Sequence, residues 1–150
     1  MQKKRKSRKK TEKIEIGEQK VEDFNEQLTE SVSGLFYLSE TDAEIFVVSG
    51  KQKESLTKDS LLIQIARKNE EKIEEKDFNE FFEPLCKMHE WFGVEEKQIA
   101  ERFFKLKELL QQNLHDLKVF RIGKKEIDIY VVGLDKENIL RGIQTKAVET

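Results

Sequence analysis

Long apolar runs are missing from this sequence. No stretch approaches the roughly 18 consecutive apolar residues of a membrane span, and the basic start is followed by Glu-rich sequence where a secretory signal needs an apolar core. The single cysteine, Cys86, excludes an internal disulfide, which is typical of a reducing compartment. These absences predict a protein that stays where it is made, and we expect it in the cytoplasm.

Residues suited to catalysis are also scarce. Neither of the two histidines, His89 and His115, has a nearby Ser or Cys in a nucleophile context, and the seven glycines form no phosphate-binding loop. Cys86 and His89 have a C-x-x-H spacing, but a zinc site needs further ligands. Glu126 and Asp128 share a strand face, where solvated acids explain them better than a catalytic pair. We expect a binding protein, not an enzyme, with no intrinsic cofactor.

Charge, by contrast, is abundant and unevenly distributed. Charged residues make up 39% of the chain, well above the usual quarter. Eight of the 28 basic residues lie in the first thirteen positions against one acid, which leaves 20 basic and 29 acidic residues in the rest. Self-repelling charge without apolar residues predicts a disordered basic arm over residues 1–18. Residues 19–150 are long enough for one domain with its own core.

Apolar periodicity predicts several helices. An i, i+3, i+4 spacing gives an amphipathic helix over 21–32 that ends near Gly34, and 60–68 also has helical character. The longest helix is predicted over 95–114. Its apolar stripe consists of Ile99, Phe103, Leu106, Leu110 and Leu114.

A short helix is predicted around an aromatic cluster. Asp77 can accept a backbone hydrogen bond as its N-cap, and Pro84 limits further extension. The cluster shares one helix face and is expected to be core; its members are Phe78, Phe81 and Phe82.

Strand patterns are concentrated in the C-terminal third. A β-branched run at 44–50 is predicted as an early, buried strand, alternation over 119–134 predicts a hairpin, and 142–150 predicts a final strand. In the second strand of the hairpin, one face carries Ile127, Ile129 and Val131 and the other carries Asp128, Tyr130 and Val132. In the final strand, one face carries Ile143, Thr145 and Ala147 and the other carries Gln144, Lys146 and Val148. Apolar residues on both faces predict an α/β (α+β) fold, a three-layer α-β-α sandwich with an about four-stranded sheet and helices on both faces.

The end of the chain is its most informative feature. The final strand is expected to run out to Thr150, with a free carboxylate and no polar tail after it. A hydroxyl and a carboxylate at the end of a strand would hold oxygen ligands at a fixed point in space. Such an arrangement suits a protein that blocks a cationic or metal site of another protein.

Six segments, taken together and in order, resemble the nuclease A inhibitor family. They are LFYLSE at 35–40, DFNEFF at 77–82, Glu90-Trp91, the long helix ending QQNL, the hairpin VFRIGKKEIDIYVVG and the terminal QTKAVET. The resemblance covers about residues 21–150 and leaves the basic arm outside. The family comprises small bacterial proteins that block a sugar-nonspecific DNA/RNA endonuclease of the ββα-metal type. It implies an α-β-α sandwich and inhibition by occupation of the nuclease active site.

The resemblance also implies a set of partner-binding residues. The family's interface acid falls on Glu40, which would replace a substrate phosphate opposite a nuclease arginine, since a carboxylate accepts the same bidentate fork. Its terminal threonine falls on Thr150, which would bring oxygen to the nuclease's Mg²⁺, the only metal implied. Glu149, next to it, is expected to contact the partner as well. The family's acid-Trp pair, usually Asp-Trp, is Glu90-Trp91 here, with Trp91 as a large anchor.

Each of these residues also has a simpler interpretation. Glu40 could be an exposed turn acid or a helix N-terminal charge, and Thr150 an ordinary terminus. Trp91 could equally lie in the core. These alternatives remain open on the sequence alone.

Two classes of function follow from these patterns. The first is an inhibitor, monomeric when free, that binds a cognate nonspecific endonuclease one to one; its acidic body suits a positive nuclease groove. The alternative is a nucleic-acid-associated or adaptor protein docked through its basic N-terminal arm. A third possibility is that the fold persists while inhibition has been lost.

Overall fold

The computed structural model describes residues 16–52, 56–64 and 72–149. The predicted arm at 1–18 lies outside these ranges except for its last three residues, which belong to the first helix. In chain order the elements are α1 (Ile16–Val32), β1 (Phe36–Leu38), β2 (Asp42–Glu44), β3 (Phe46–Gln52), α2 (Lys58–Gln64), β4 (Ile73–Lys76), α3 (Phe78–Cys86), α4 (Val94–Asn113), β5 (His115–Ile122), β6 (Glu126–Leu134) and β7 (Ile139–Val148).

Among the described residues, the main sheet has five antiparallel strands in the order β3-β7-β6-β5-β4, and β1 pairs with β2 in a separate ribbon. The prediction of about four strands is therefore wrong by one, because the IEEK sequence of β4 has no apolar alternation that would reveal it. The predicted buried strand at 44–50 is also wrong in part. It is β3, which lies at a sheet edge with Phe46 55% exposed.

Alternate residues of β6 enter two different hydrophobic clusters. Ile127, Ile129 and Val131 belong to a cluster shared with residues of α1, α3 and α4. Tyr130 and Val132 belong to a cluster shared with residues of α2. The predicted two-residue alternation of this strand is thus confirmed, as expected when successive side chains point to opposite faces. Within the described ranges, the fold is a mixed α/β domain of four helices, the five-stranded sheet and the ribbon.

The helix predictions hold with shifted boundaries. α1 begins five residues before the predicted start and ends at Val32, and Gly34 follows with a positive φ of 70°, a conformation that glycine adopts without strain. In α4 the predicted stripe is buried except for Ile99, which is 45% exposed; Ala100 faces the core in its place. Ala100 precedes Phe103 by three residues, so it shares that face of the helix. The predicted helix at 60–68 is α2, and its part beyond Gln64 lies outside the described residues.

The short helix α3 confirms its predicted cap and its aromatic core. The Asp77 carboxylate accepts a hydrogen bond from the Glu80 amide at 3.0 Å, which satisfies one of the free donors of the first turn. Pro84 lies inside the helix, which ends two residues later. The buried aromatic residues are Phe78, Phe81 and Phe82.

A buried ion pair closes the turn between β6 and β7. Asp135 accepts a hydrogen bond from Arg141 Nε at 2.6 Å, and its other carboxylate oxygen accepts from the amides of Glu137 and Ile139 at 2.8 and 3.0 Å. Arg141 also donates to the Ser49 hydroxyl on β3 at 2.9 Å. No local sequence pattern indicated this pair, which connects the turn to the edge strand.

We expect this pair to make stability depend on pH in the acid range. Burial acts to raise the pKa of Asp135, but hydrogen bonds from Arg141 and from the backbone amides, together with the charge of Arg141, hold the pKa below its ordinary value. A folded-state pKa that is lowered gives stability that is present above the unfolded pKa, about 4, and lost as pH falls through the folded value. Urea unfolding of the wild type and Asp135→Asn at pH 7 and pH 3 should show a smaller difference at pH 3. A difference that does not change with pH would contradict this assignment.

Candidate functional site

The turn between β1 and β2 lies against the end of β7. The Ser39 hydroxyl accepts a hydrogen bond from the Val148 amide at 3.0 Å, and the Glu40 amide donates to the Val148 carbonyl at 3.4 Å. Within the turn, the amide and the hydroxyl of Ser39 both donate to the Thr41 carbonyl, at 3.0 and 3.3 Å. Backbone contacts therefore hold Glu40 at the end of the last strand.

This junction brings together two predicted partner-binding segments that are far apart in sequence. Glu40 is exposed, in agreement with a contact residue and also with the simpler interpretation of a turn acid. The prediction that the final strand runs out to Thr150 is wrong, because β7 ends at Val148 and Glu149, which directly follows, is not part of the strand. Thr150 lies outside the described residues, so its predicted role stays a prediction.

Glu149 is attached to the hairpin of β5 and β6. Its amide donates to the Lys125 carbonyl at 2.9 Å, and its carboxylate accepts a hydrogen bond from the guanidinium of Arg121. Arg121 also lies 3.7 Å from a carboxylate oxygen of Glu74. Glu149 therefore forms an ion pair within the chain, and its role in partner binding stays a prediction. Sequence reasoning missed Arg121, since nothing local distinguishes it from other basic strand residues.

Tyr37 connects the β1–β2 ribbon to α3. Its ring stacks on Phe81 of α3 with 5.6 Å between centroids and 12° between planes. Burial raises the pKa of Tyr37, the nearby Arg121 charge opposes that shift, and the Glu149 charge adds to it. The phenol is therefore neutral at physiological pH, and its ring fixes the ribbon to α3.

Trp91 lies in the loop between α3 and α4 and is 73% exposed. The alternative that placed it in the core is wrong. Its ring stacks on His89 at 5.4 Å and meets Phe92 edge-on at 4.7 Å, so the three rings form one group, here called the aromatic loop. Glu90, also exposed, lies within this loop. A large exposed aromatic with an adjacent acid is typical of a binding surface.

The C-x-x-H spacing of Cys86 and His89 does not form part of a larger ligand set. Across 16–52, 56–64 and 72–149, no group of three or more His, Cys, Asp and Glu residues is arranged to hold a metal ion. The His89 ring packs on Trp91 and Phe92, and burial raises the pKa of the Cys86 thiol. In the same ranges, no helix is long and apolar enough to cross a membrane.

An exposed turn acid and an exposed aromatic loop are features of a protein-binding surface. The chain belongs to the nuclease A inhibitor-like protein family, whose sequence model matches residues 22–150. The match confirms the resemblance and nearly coincides with its predicted extent. A search of curated proteins gave no match. Family membership indicates a nuclease inhibitor, and hence a nuclease as the partner.

Proposed function

We propose that this chain is a stoichiometric, non-enzymatic inhibitor of a nonspecific DNA/RNA endonuclease of the ββα-metal type. The observation that carries the proposal is the junction of the Glu40 turn with the end of β7, because it holds one predicted active-site contact beside the strand that leads to the other, Thr150. The proposal includes a monomeric free state, a one-to-one complex, a cytoplasmic location and the three-layer α-β-α arrangement of the family.

Glu40 is proposed to act as a phosphate mimic. A carboxylate accepts the same pair of N–H donors from a guanidinium as a phosphate does. An arginine of the nuclease that binds Glu40 cannot bind a substrate phosphate at the same time. Exposure of Glu40 in a turn with fixed backbone contacts supports this role, since a presented acid loses little freedom on binding.

The terminal residues are proposed to reach the nuclease's metal site. The Arg121 contact and the Lys125 carbonyl fix Glu149 at the end of the last strand. Thr150 comes next in the chain, and its hydroxyl or carboxylate would supply the hard oxygen donor that Mg²⁺ prefers. The metal belongs to the nuclease, and this chain contributes only the oxygen.

The aromatic loop is proposed as a second contact region. Trp91 has most of its large ring available for burial, and buried tryptophans are frequent energetic anchors of interfaces. Glu90, in place of the family's usual Asp, extends its carboxylate one methylene further from the backbone. The excess of acidic residues after position 13 would also speed encounter with a positively charged groove.

Complex formation with competition tests the proposal. A catalytically inactive ββα-metal endonuclease is loaded with a fluorescent DNA duplex, the full chain is added, and both anisotropy and native mass are measured. We expect release of the duplex and a one-to-one protein complex. A ternary complex of chain, nuclease and DNA would contradict active-site occupation.

The alternative function is an adaptor that docks on nucleic acid through the basic arm. The observation in its favour is the cluster of basic residues at 3–13, because neutralised phosphates release counterions and give sequence-independent affinity. Tight, salt-sensitive DNA binding by the intact chain, without effect on a nuclease, would favour this alternative.

We expect deletion of residues 1–15 to leave inhibition nearly unchanged. Every segment that carries the family match lies after the arm, and the cut falls just before α1, which begins at Ile16. The inhibition midpoint of the truncated chain should equal that of the full chain, while any weak affinity for DNA should disappear. A large loss of inhibition would show that the arm is part of the inhibitor.

A further inference from the structure

The outer face of the β1–β2 ribbon exposes apolar side chains. Phe36 is 41% and Leu38 is 62% exposed, and the two residues share a face because they are two positions apart on a strand. Tyr37, between them, points the other way and stacks on Phe81. The exposure is therefore confined to the side of the ribbon that faces away from α3.

Phe46 extends this exposed surface onto the edge strand. It is 55% exposed at the start of β3, and it lines two adjoining surface depressions together with Phe36. We call Phe36, Leu38 and Phe46 the apolar patch. Single exposed apolar residues are common, but a contiguous group of large ones marks an interaction site.

Acidic residues surround the apolar patch. Asp42 pairs with Leu38 and Glu44 pairs with Phe36 across the ribbon, so both acids share the outer face. Glu126 and Asp128 line the same depression as Phe36 and Phe46, with Lys146 as its basic member. We call Asp42, Glu44, Glu126 and Asp128 the acidic rim.

The rim favours one kind of occupant. A second copy of this chain would place acid against acid, and like charges at an interface are costly. A partner with an apolar contact flanked by Lys or Arg matches both the patch and its rim. A nuclease that binds a polyanion in its groove needs positive charge there, which the acidic rim complements.

We propose that the apolar patch and the acidic rim form a further docking surface for the partner nuclease, next to its active site. This proposal rests on the proposed function and deepens it. Leu38 is two residues from Glu40, so the patch is continuous with the turn that is proposed to enter the active site. The patch makes the complex long-lived by excluding water, and the rim speeds its formation by long-range attraction.

The test compares matched variants of the full chain against an immobilised, purified Mg²⁺-dependent ββα-metal endonuclease. The patch variant is Leu38→Ser with Phe46→Ser. The control is Phe104→Ser on α4, an aromatic of similar exposure, 47%, that lines a depression with residues of α3 and α4 and none of the ribbon. We expect the patch variant to dissociate about tenfold faster or more, the size of effect that interface anchors produce, while the control changes by less than about threefold. Thermal midpoints of both variants establish that they are folded.

A rim variant, Asp42→Asn with Glu44→Gln, distinguishes long-range electrostatic attraction from direct contact with the nuclease. It should slow association about threefold to tenfold at low salt, and the difference should vanish at high salt because screening removes long-range attraction. If wild type binds and Glu40→Ala weakens binding while the patch and rim variants match wild type, this proposal fails and the proposed function stands. If wild type binds no such nuclease, both fail. If the patch variant alters only self-association, the occupant is a second copy and the proposal is overturned.

Discussion

Glu40→Ala is expected to weaken binding to the cognate nuclease by about 2–5 kcal/mol, because truncation leaves the partner arginine buried and unpaired. The thermal midpoint should hardly change. The turn is held by the Glu40 amide and by Ser39, which contact Val148, and alanine keeps the amide. Affinity by calorimetry and stability by thermal unfolding, measured on the same preparation, separate the two effects.

A matched control for this variant is Glu101→Ala, which removes an exposed acid from α4. It should leave affinity within about 0.5 kcal/mol of wild type, as surface substitutions away from special features usually do. If Glu40→Ala lowers the thermal midpoint sharply while affinity per folded molecule stays the same, Glu40 is a structural residue. The simpler interpretation of Glu40 as a turn acid would then be correct.

Changing the C-terminus is expected to have an effect of similar size. Deletion of Thr150, or addition of a short tag after it, should weaken binding by about tenfold or more, since either change moves or crowds the oxygen donor that Mg²⁺ prefers. Thr150→Ser should be milder, because it retains the hydroxyl and the carboxylate. The fold should be unaffected, since the core residues of β7 precede this position.

The control is the same tag at the N-terminus, which lies outside the matched region. Affinities with and without Mg²⁺ then decide the matter. The tagged terminus should bind more weakly only when the metal is present. Equal binding by both tagged forms, with no influence of Mg²⁺, would place the interface elsewhere.

Local sequence patterns were sufficient to predict the elements that are long enough to repeat an apolar period. The alternation of Ile127 to Val132 assigned β6 correctly, and the spacing of Phe103, Leu106 and Leu110 assigned α4, because each pattern extends over several periods. Three-residue and four-residue strands have too few positions for a period, so β1, β2 and β4 could not be predicted. Their pairing depends on neighbours that are distant in the sequence.

The geometry of the candidate site was harder to predict than these elements, because it depends on tertiary contacts. Glu40 and Trp91 were identified from short motifs, but their exposure could not be read from them. The Ser39–Val148 contact spans 109 positions, and no local pattern encodes it. The Arg121–Glu149 pair is similar, because an ion pair between strand ends becomes visible only when the sheet register is known.

Titration of nuclease activity tests the central claim most directly. A purified Mg²⁺-dependent ββα-metal endonuclease, held at a concentration well above the expected dissociation constant, is mixed with increasing amounts of the full chain, and cleavage of both DNA and RNA is measured. Inhibition of the cognate enzyme predicts a linear fall in both activities that reaches zero at one equivalent. Unchanged cleavage in a large excess of folded chain, for every ββα-metal endonuclease from the same source, would contradict the account.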